Sequence, residues 1–163
     1  MMNVTVMKQI KFCAGHRLLG HEGKCANLHG HNYVAQIFVS GNETDEIGRI
    51  VDFSTINALF KGWIDENWDH GLLLWEQDQE AIKAISSLSE NRMFIMPYNP
   101  TAENMAKYLL LEVGPKLVEQ ITGYDVNVTK VVIWETENSA AEMAIQSHSG
   151  SELADNQFNT TAS

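Results

Sequence analysis

The chain has 163 residues, enough for one domain with a substantial core, and its apolar (44%) and charged (20%) fractions are those of an ordinary globular protein. A formal net charge of −10 argues against a nucleic-acid partner, because no basic patch exists to neutralise phosphates, and leaves any phosphorylated ligand to a few local cations. No apolar run is long enough for a membrane span, and Met1 to Lys8 lacks a charged start followed by an apolar stretch. A cytoplasmic protein with no membrane partner is therefore expected, with Cys13 and Cys25 kept as thiols.

Residues 3–13 alternate, with Val4, Val6, Ile10 and Phe12 on one face and Thr5, Met7, Gln9 and Lys11 on the other, which predicts a strand. Residues 14–28 read as a loop bearing Gly and His, and 29–40 as a second strand through Val34, Ile37, Phe38 and Val39. A turn at 40–45 precedes Ile47 to Val51, which could pair back as a hairpin. Asp52 or Ser54 then caps a helix whose stripe is Ile56, Leu59, Phe60, Trp63 and Ile64, ending near Asn67. A short helix is expected in 78–90 and a short strand over Met93 to Met96. Thr101 suits the cap of a second long helix, with Ala102, Met105, Ala106, Leu109, Leu110 and Val113 buried and Gly114-Pro115 kinking or restarting it. The β-branched run Val126 to Glu135 predicts a last strand. Residues 1–137 form the domain in this reading, and the polar, acidic stretch 138–163 a mobile tail. Early, middle and late strands with two helices between them indicate an α+β layer rather than a βαβ series.

The chemistry centres on Cys25-Ala26-Asn27-Leu28-His29-Gly30-His31. In an extended chain alternate side chains share a face, so His29 and His31 project side by side. His16, in Phe12-Cys13-Ala14-Gly15-His16, is the best third ligand. Three neutral imidazoles around zinc leave the open fourth position that a catalytic site needs. Cys25, in a polar loop near the imidazoles, is the thiol that a bound cation would activate, whereas Cys13, flanked by apolar residues on a strand, reads as a buried hydrophobe. In Asp69-His70 a carboxylate can fix an imidazole as a general acid or base. Glu135 ends an apolar strand, and its carboxylate could accept both N–H donors of a 2-amino-4-oxo pyrimidine edge.

Together these segments, with Gly48-Arg49-Ile50-Val51-Asp52-Phe53, Pro100-Thr101-Ala102-Glu103-Asn104 and Trp134-Glu135-Thr136, resemble the 6-pyruvoyl-tetrahydropterin synthase and 6-carboxytetrahydropterin synthase family, in the family's order over about residues 3–137. The resemblance implies the tunnelling fold, in which four antiparallel strands and two helices per subunit assemble into a barrel as trimers or hexamers with active sites at subunit junctions. It implies zinc on His16, His29 and His31, a catalytic Cys25, a proton-relay pair in Asp69 and His70, and a pterin anchored by Glu135 with Thr101 and Glu103 nearby. The spacing of Cys25 from His-Gly-His is similar to the carboxy branch. Its members turn 7,8-dihydroneopterin triphosphate into 6-carboxy-5,6,7,8-tetrahydropterin, acetaldehyde and triphosphate, toward 7-deazaguanines such as queuosine. The alternatives are the pyruvoyl-forming lyase on the same substrate and a non-catalytic zinc- or pterin-binding protein. Trp134 stands where many relatives have a basic residue.

Overall fold

The computed structural model describes residues 3–146. Thirteen residues of β1, Val4–His16, pair antiparallel and without a break in register with the thirteen of β2, His29–Gly41. The alternation expected from the sequence sets the faces: Ile10, Phe12, Ala14 and His16 are buried, and Gln9 and Lys11 are exposed. β1 runs further than expected, to His16, so this residue lies on a strand and pairs directly with His29.

The other edge of β2 pairs antiparallel with β5, Val126–Thr136, through a bulge between Phe38 and Val39, and β5 pairs with β6, Ser139–Ala144. On the far side β3, Gly71–Trp75, adds parallel to β1, and β4, Met93–Met96, parallel to β3. Among the described residues the sheet thus has six strands in the order β4-β3-β1-β2-β5-β6, not the four expected: a four-stranded antiparallel part, extended by two short parallel strands.

Helix α1, Phe53–Asn67, is capped by Asp52, whose carboxylate accepts the Ser54 N–H. It buries Ile56, Phe60 and Ile64 against the sheet. The second long helix is composite. α3, Ala102–Tyr108, is capped by Thr101 and runs into a π-helical turn, Leu109–Val113; α4, Gly114–Val118, follows. A short α2, Gln79–Ser86, crosses over between β3 and β4. Met105, Leu109 and Val113 join Phe60, Ile64 and Trp68 over Tyr33, Ala35, Ile37 and Ile133 in one core. Full burial of each large side chain is worth about 2 kcal/mol, so this layer holds the helices to the sheet. No helix among the described residues is long and apolar enough to cross a membrane.

Two expectations change. Ile47 to Val51 forms no strand: Asp45 accepts the N–H groups of Ile47 and Arg49 (3.1 and 2.9 Å), and Gly48 takes φ +89°, closing a turn that strand pairing would break. The stretch assigned to a tail from 138 begins with β6, where the main chain of Ser139–Ala144 completes its bonds on the edge of β5; residues 147–163 lie outside the described residues.

Candidate active site

The cross-strand pairing of His16 with His29, and the two-residue step from His29 to His31, bring three imidazoles to the helix-covered face at one end of the β1–β2 ladder. Their ring centroids lie 4.5 to 5.2 Å apart, and one nitrogen from each lies within 4.8 Å of the others. The hydrogen bonds define which nitrogen faces inward. His16 Nδ1 donates to the Pro100 carbonyl (2.7 Å) and His29 Nδ1 to the Asn27 carbonyl (2.7 Å). Since a carbonyl can only accept, both Nδ1 atoms carry a proton, and in a ring protonated there alone Nε2 is the atom with the free lone pair. Those two Nε2 atoms are 3.0 Å apart. Burial, with the neighbouring His29 and His31, outweighs the Pro100 contact and Glu135 and holds His16 below its ordinary pKa. The third imidazole, His31, has a buried Nε2 with no hydrogen-bond partner among the described residues; the Glu135 carboxylate is 3.5 Å away. Three converging imidazole nitrogens, with His16 and His29 each backed by a carbonyl on the far nitrogen, fit a divalent cation.

Tyr33 closes the floor. Its hydroxyl lies 3.3 and 3.4 Å from the two His16 nitrogens, and burial, then the charges of Glu135 and Cys25, keep the phenol protonated well above its usual range. The sequence reading did not single out Tyr33, although its alternation with His29 and His31 put it on the same face. Asn99 was also missed. Its amide clasps Leu19 at both N–H and carbonyl (3.0 and 2.9 Å), and Leu18 in turn donates to the Cys25 carbonyl (2.9 Å).

Glu135 stands beside the imidazoles. Thr101 caps α3 one residue after Pro100, and Glu103 is exposed in the first turn of that helix. Cys25 is half-buried in the short 3-10 turn Lys24–Ala26. Asp69 and His70 form a bonded pair, with Nδ1 of the ring donating to Oδ2 at 2.8 Å. The largest single influence on Asp69 is burial, which pushes its carboxyl up; the Cys13 N–H and the His70 ring together outweigh it and bring the group below its usual range. The thiol next to this pair is Cys13, not Cys25: no hydrogen bond joins Cys25 to Asp69 or His70 among the described residues, whereas Cys13 Sγ lies 3.6 Å from both ring nitrogens of His70. The reading of Cys13 as a buried hydrophobe is corrected. Parity was the available signal, since Cys13 shares the open face of β1 with Gln9 and Lys11.

A cleft of about 420 Å³ joins the two groups, lined by Cys13, Gly15, Gly30, His31 and His70 among others. Gly15 and Gly30 are cross-strand partners, and a Cβ at Gly30 would meet the Ala14 carbonyl oxygen at 3.0 Å, so this approach of the strands requires glycine.

An α+β sheet presenting three convergent imidazoles, able to hold a metal ion, and an acid-paired histidine at one end defines an enzyme scaffold. The family model described as 6-pyruvoyl tetrahydropterin synthase matches residues 5–146, and the chain belongs to that family. It is 43% identical over 140 residues to a Rickettsia bellii protein named 6-carboxy-5,6,7,8-tetrahydropterin synthase, covering 86% of this chain and 99% of the relative. A Haemophilus influenzae protein of the same name is 30% identical over 143 residues, covering 84% and 96%. Among solved structures, an uncharacterised Wolinella succinogenes protein superposes with a TM-score of 0.72 at 22% identity, covering 90% of this chain and all of that one. Caenorhabditis elegans 6-pyruvoyl tetrahydropterin synthase superposes with 0.61 at 25% identity, covering 90% and 98%. The chain has the tunnelling fold of this family.

Proposed function

We propose that this lyase is a 6-carboxytetrahydropterin synthase, acting on 7,8-dihydroneopterin triphosphate to give 6-carboxy-5,6,7,8-tetrahydropterin, acetaldehyde and triphosphate. The names of the relatives support the carboxy branch, as does the spacing of Cys25 from His29 and His31. One observation carries the metal: two imidazoles, each protonated at Nδ1, bring their Nε2 atoms to 3.0 Å, with an unpartnered His31 nitrogen beside them and one nitrogen of each ring within 4.8 Å of the others. His16, His29 and His31 would hold zinc, which supplies Lewis acidity toward the substrate's side-chain oxygens and acidifies the adjacent C–H.

The chain's own residues do the rest. Glu135 accepts the paired N–H donors of the pterin edge and orients the ring, with Thr101 and Glu103 at that rim. Cys25, as thiolate, takes a proton from the substrate carbon, and His70, held by Asp69, exchanges one on the other side. Tyr33, kept protonated, packs beneath the imidazoles and excludes water from the floor. Within one chain no hydrogen bond joins Cys25 to the Asp69–His70 pair among the described residues, whereas Cys13 lies against it. An assembly with active sites at subunit junctions reconciles this separation, by bringing the thiol of one copy to the pair of another. The enzyme is then a cytoplasmic trimer or hexamer, and its catalytic domain is the expected one extended past residue 137 to include β6.

The test is incubation of zinc-loaded protein with dihydroneopterin triphosphate, followed by product mass analysis. Acetaldehyde with the carboxypterin is expected; a pyruvoyl product in its place removes the carboxy assignment, and tight binding without turnover removes the enzyme. Cys25→Ala is expected to abolish turnover while retaining zinc.

A further inference from the structure

The contacts between Cys13, Asp69 and His70 follow from the topology. β3 pairs parallel to β1 starting at Ala14 with Gly71, so the residues immediately before, Cys13 and His70, are neighbours. The main chain ties them: the His70 N–H donates to the Cys13 carbonyl at 2.7 Å, and the Cys13 N–H donates to Asp69 Oδ1 at 3.0 Å. The Cys13 sulfur is equidistant, 3.6 Å, from both nitrogens of the His70 ring. A sulfur in the ring plane at those two distances would collide with the carbon between them, so it stands over the imidazole face. Asp69 Oδ2 accepts from Nδ1, which leaves Nε2 directed outward. His70 alone among the described non-glycine residues has a positive φ, 56°. That conformation is disfavoured for a residue with a Cβ and persists only where its surroundings hold it. The side chain is nevertheless 79% exposed.

We propose that Cys13 is a positioning residue for the Asp69–His70 pair, its sulfur stacked on the imidazole so that Nε2 keeps one direction. The proposal rests on reading that pair as the acid–base group of the reaction. An exposed imidazole held only at Nδ1 by one carboxylate can still tilt about that bond. A polarisable sulfur on its face removes that freedom without occupying Nε2. The other charged group near the pair is committed elsewhere: Arg92 donates to the main-chain carbonyls of Asp65 and Asp69 (2.6 and 2.9 Å). Lys11 lies on the same face of β1 two residues before Cys13, and His29 and His31 line the same cleft. Cys13 is thus distinct from Cys25: it neither attacks nor deprotonates substrate, and it acts through His70.

Two measurements decide this. The chain has two cysteines, so Cys25→Ser leaves Cys13 as the sole thiol. Its alkylation by iodoacetamide is compared between Cys25→Ser and Cys25→Ser/His70→Asn across neutral pH. Loss of the imidazole is expected to slow the reaction about threefold or more, because an imidazole in contact with a thiol promotes its reaction. Equal rates in the two proteins overturn the contact. In the otherwise unaltered enzyme, Cys13→Ala is expected to lower kcat about tenfold with KM little changed, through misaimed proton transfer. The same variant should displace the pH profile of kcat, and Cys13→Ser should restore most of the rate. A Cys13→Ala profile that superimposes on the parent's overturns the positioning role. If Cys13→Ala fails to fold, the alkylation comparison and Cys13→Ser decide. Full turnover by His70→Ala would remove the acid–base reading of the pair, and the alkylation result would still report whether sulfur and imidazole are coupled.

Discussion

Buried Asp78 shows how one side chain can hold two elements together. It accepts from Arg17 Nε and Nη2, both at 2.5 Å, and also caps α2 by accepting the Ala81 N–H at 3.2 Å. Arg17 follows His16 directly, so this ion pair anchors the end of β1 that carries a metal-ligand candidate. The Arg17 hydrogen bonds outweigh burial and hold the Asp78 carboxyl below its ordinary value of 3.8. A carboxyl with a depressed folded-state pKa binds fewer protons folded than unfolded, so its stabilisation is complete above about pH 4 and lost as pH falls through the depressed value. Asp78→Asn leaves the guanidinium without its buried counter-charge and is expected to cost about 3 kcal/mol in urea unfolding at neutral pH. The loss should shrink as the pH falls below 4 and the parent's own carboxyl becomes protonated.

Among the elements, the composite second helix is where a local rule and a tertiary contact oppose each other. Helix propensity alone says that Gly114→Ala should stabilise the protein by about 1 kcal/mol. The π-helical turn changes the sign. It lets the Gly114 N–H bond to the Leu109 carbonyl, and an added Cβ would stand 2.8 Å from that oxygen and 3.0 Å from Val128 Cγ2 on β5. The carbonyl belongs to the backbone and cannot rotate away. Gly114→Ala is therefore expected to destabilise by about 1–3 kcal/mol in denaturant titration, the range for an overpacked site. A Pro at the next position, where α4 restarts, is tolerated at a helix's first turn. The sequence located this break at Gly114-Pro115. Its form, a widened turn rather than a kink, depends on how closely β5 lies beneath it.

For the whole molecule, zinc bound at the imidazole cluster as proposed would link metal binding to folding. Its ligands come from the ends of two strands and its support from the Pro100 carbonyl, and in the unfolded chain nothing brings them together. A ligand that binds only the folded state at about 100 times its Kd adds about 2.7 kcal/mol. Chelator-treated protein should accordingly melt several degrees lower than zinc-loaded protein, and His16→Ala should lose that zinc-dependent increment. An identical melting temperature with and without zinc in the parent would show that the cluster holds no structural or catalytic ion.

What the sequence determined by itself is whatever a short period encodes. The two-residue repeat paired His29 with His31 on one face, set Phe12 and Ile10 inward, and carried the parity that places Cys13 outward. The 3.6-residue stripe found α1 and the start of α3, and Asp52 and Thr101 capped them as their chemistry requires. Other features needed the folded chain. The short apolar run of β3 has no diagnostic period, and the small and polar β6 is a strand only because β5 offers it an edge. The carbonyl that orients His16 is 84 residues away, and the thiol beside His70 is 57. Contacts across such separations leave no mark in any local window, because they are made by the crossing of strands and not by the residues between them.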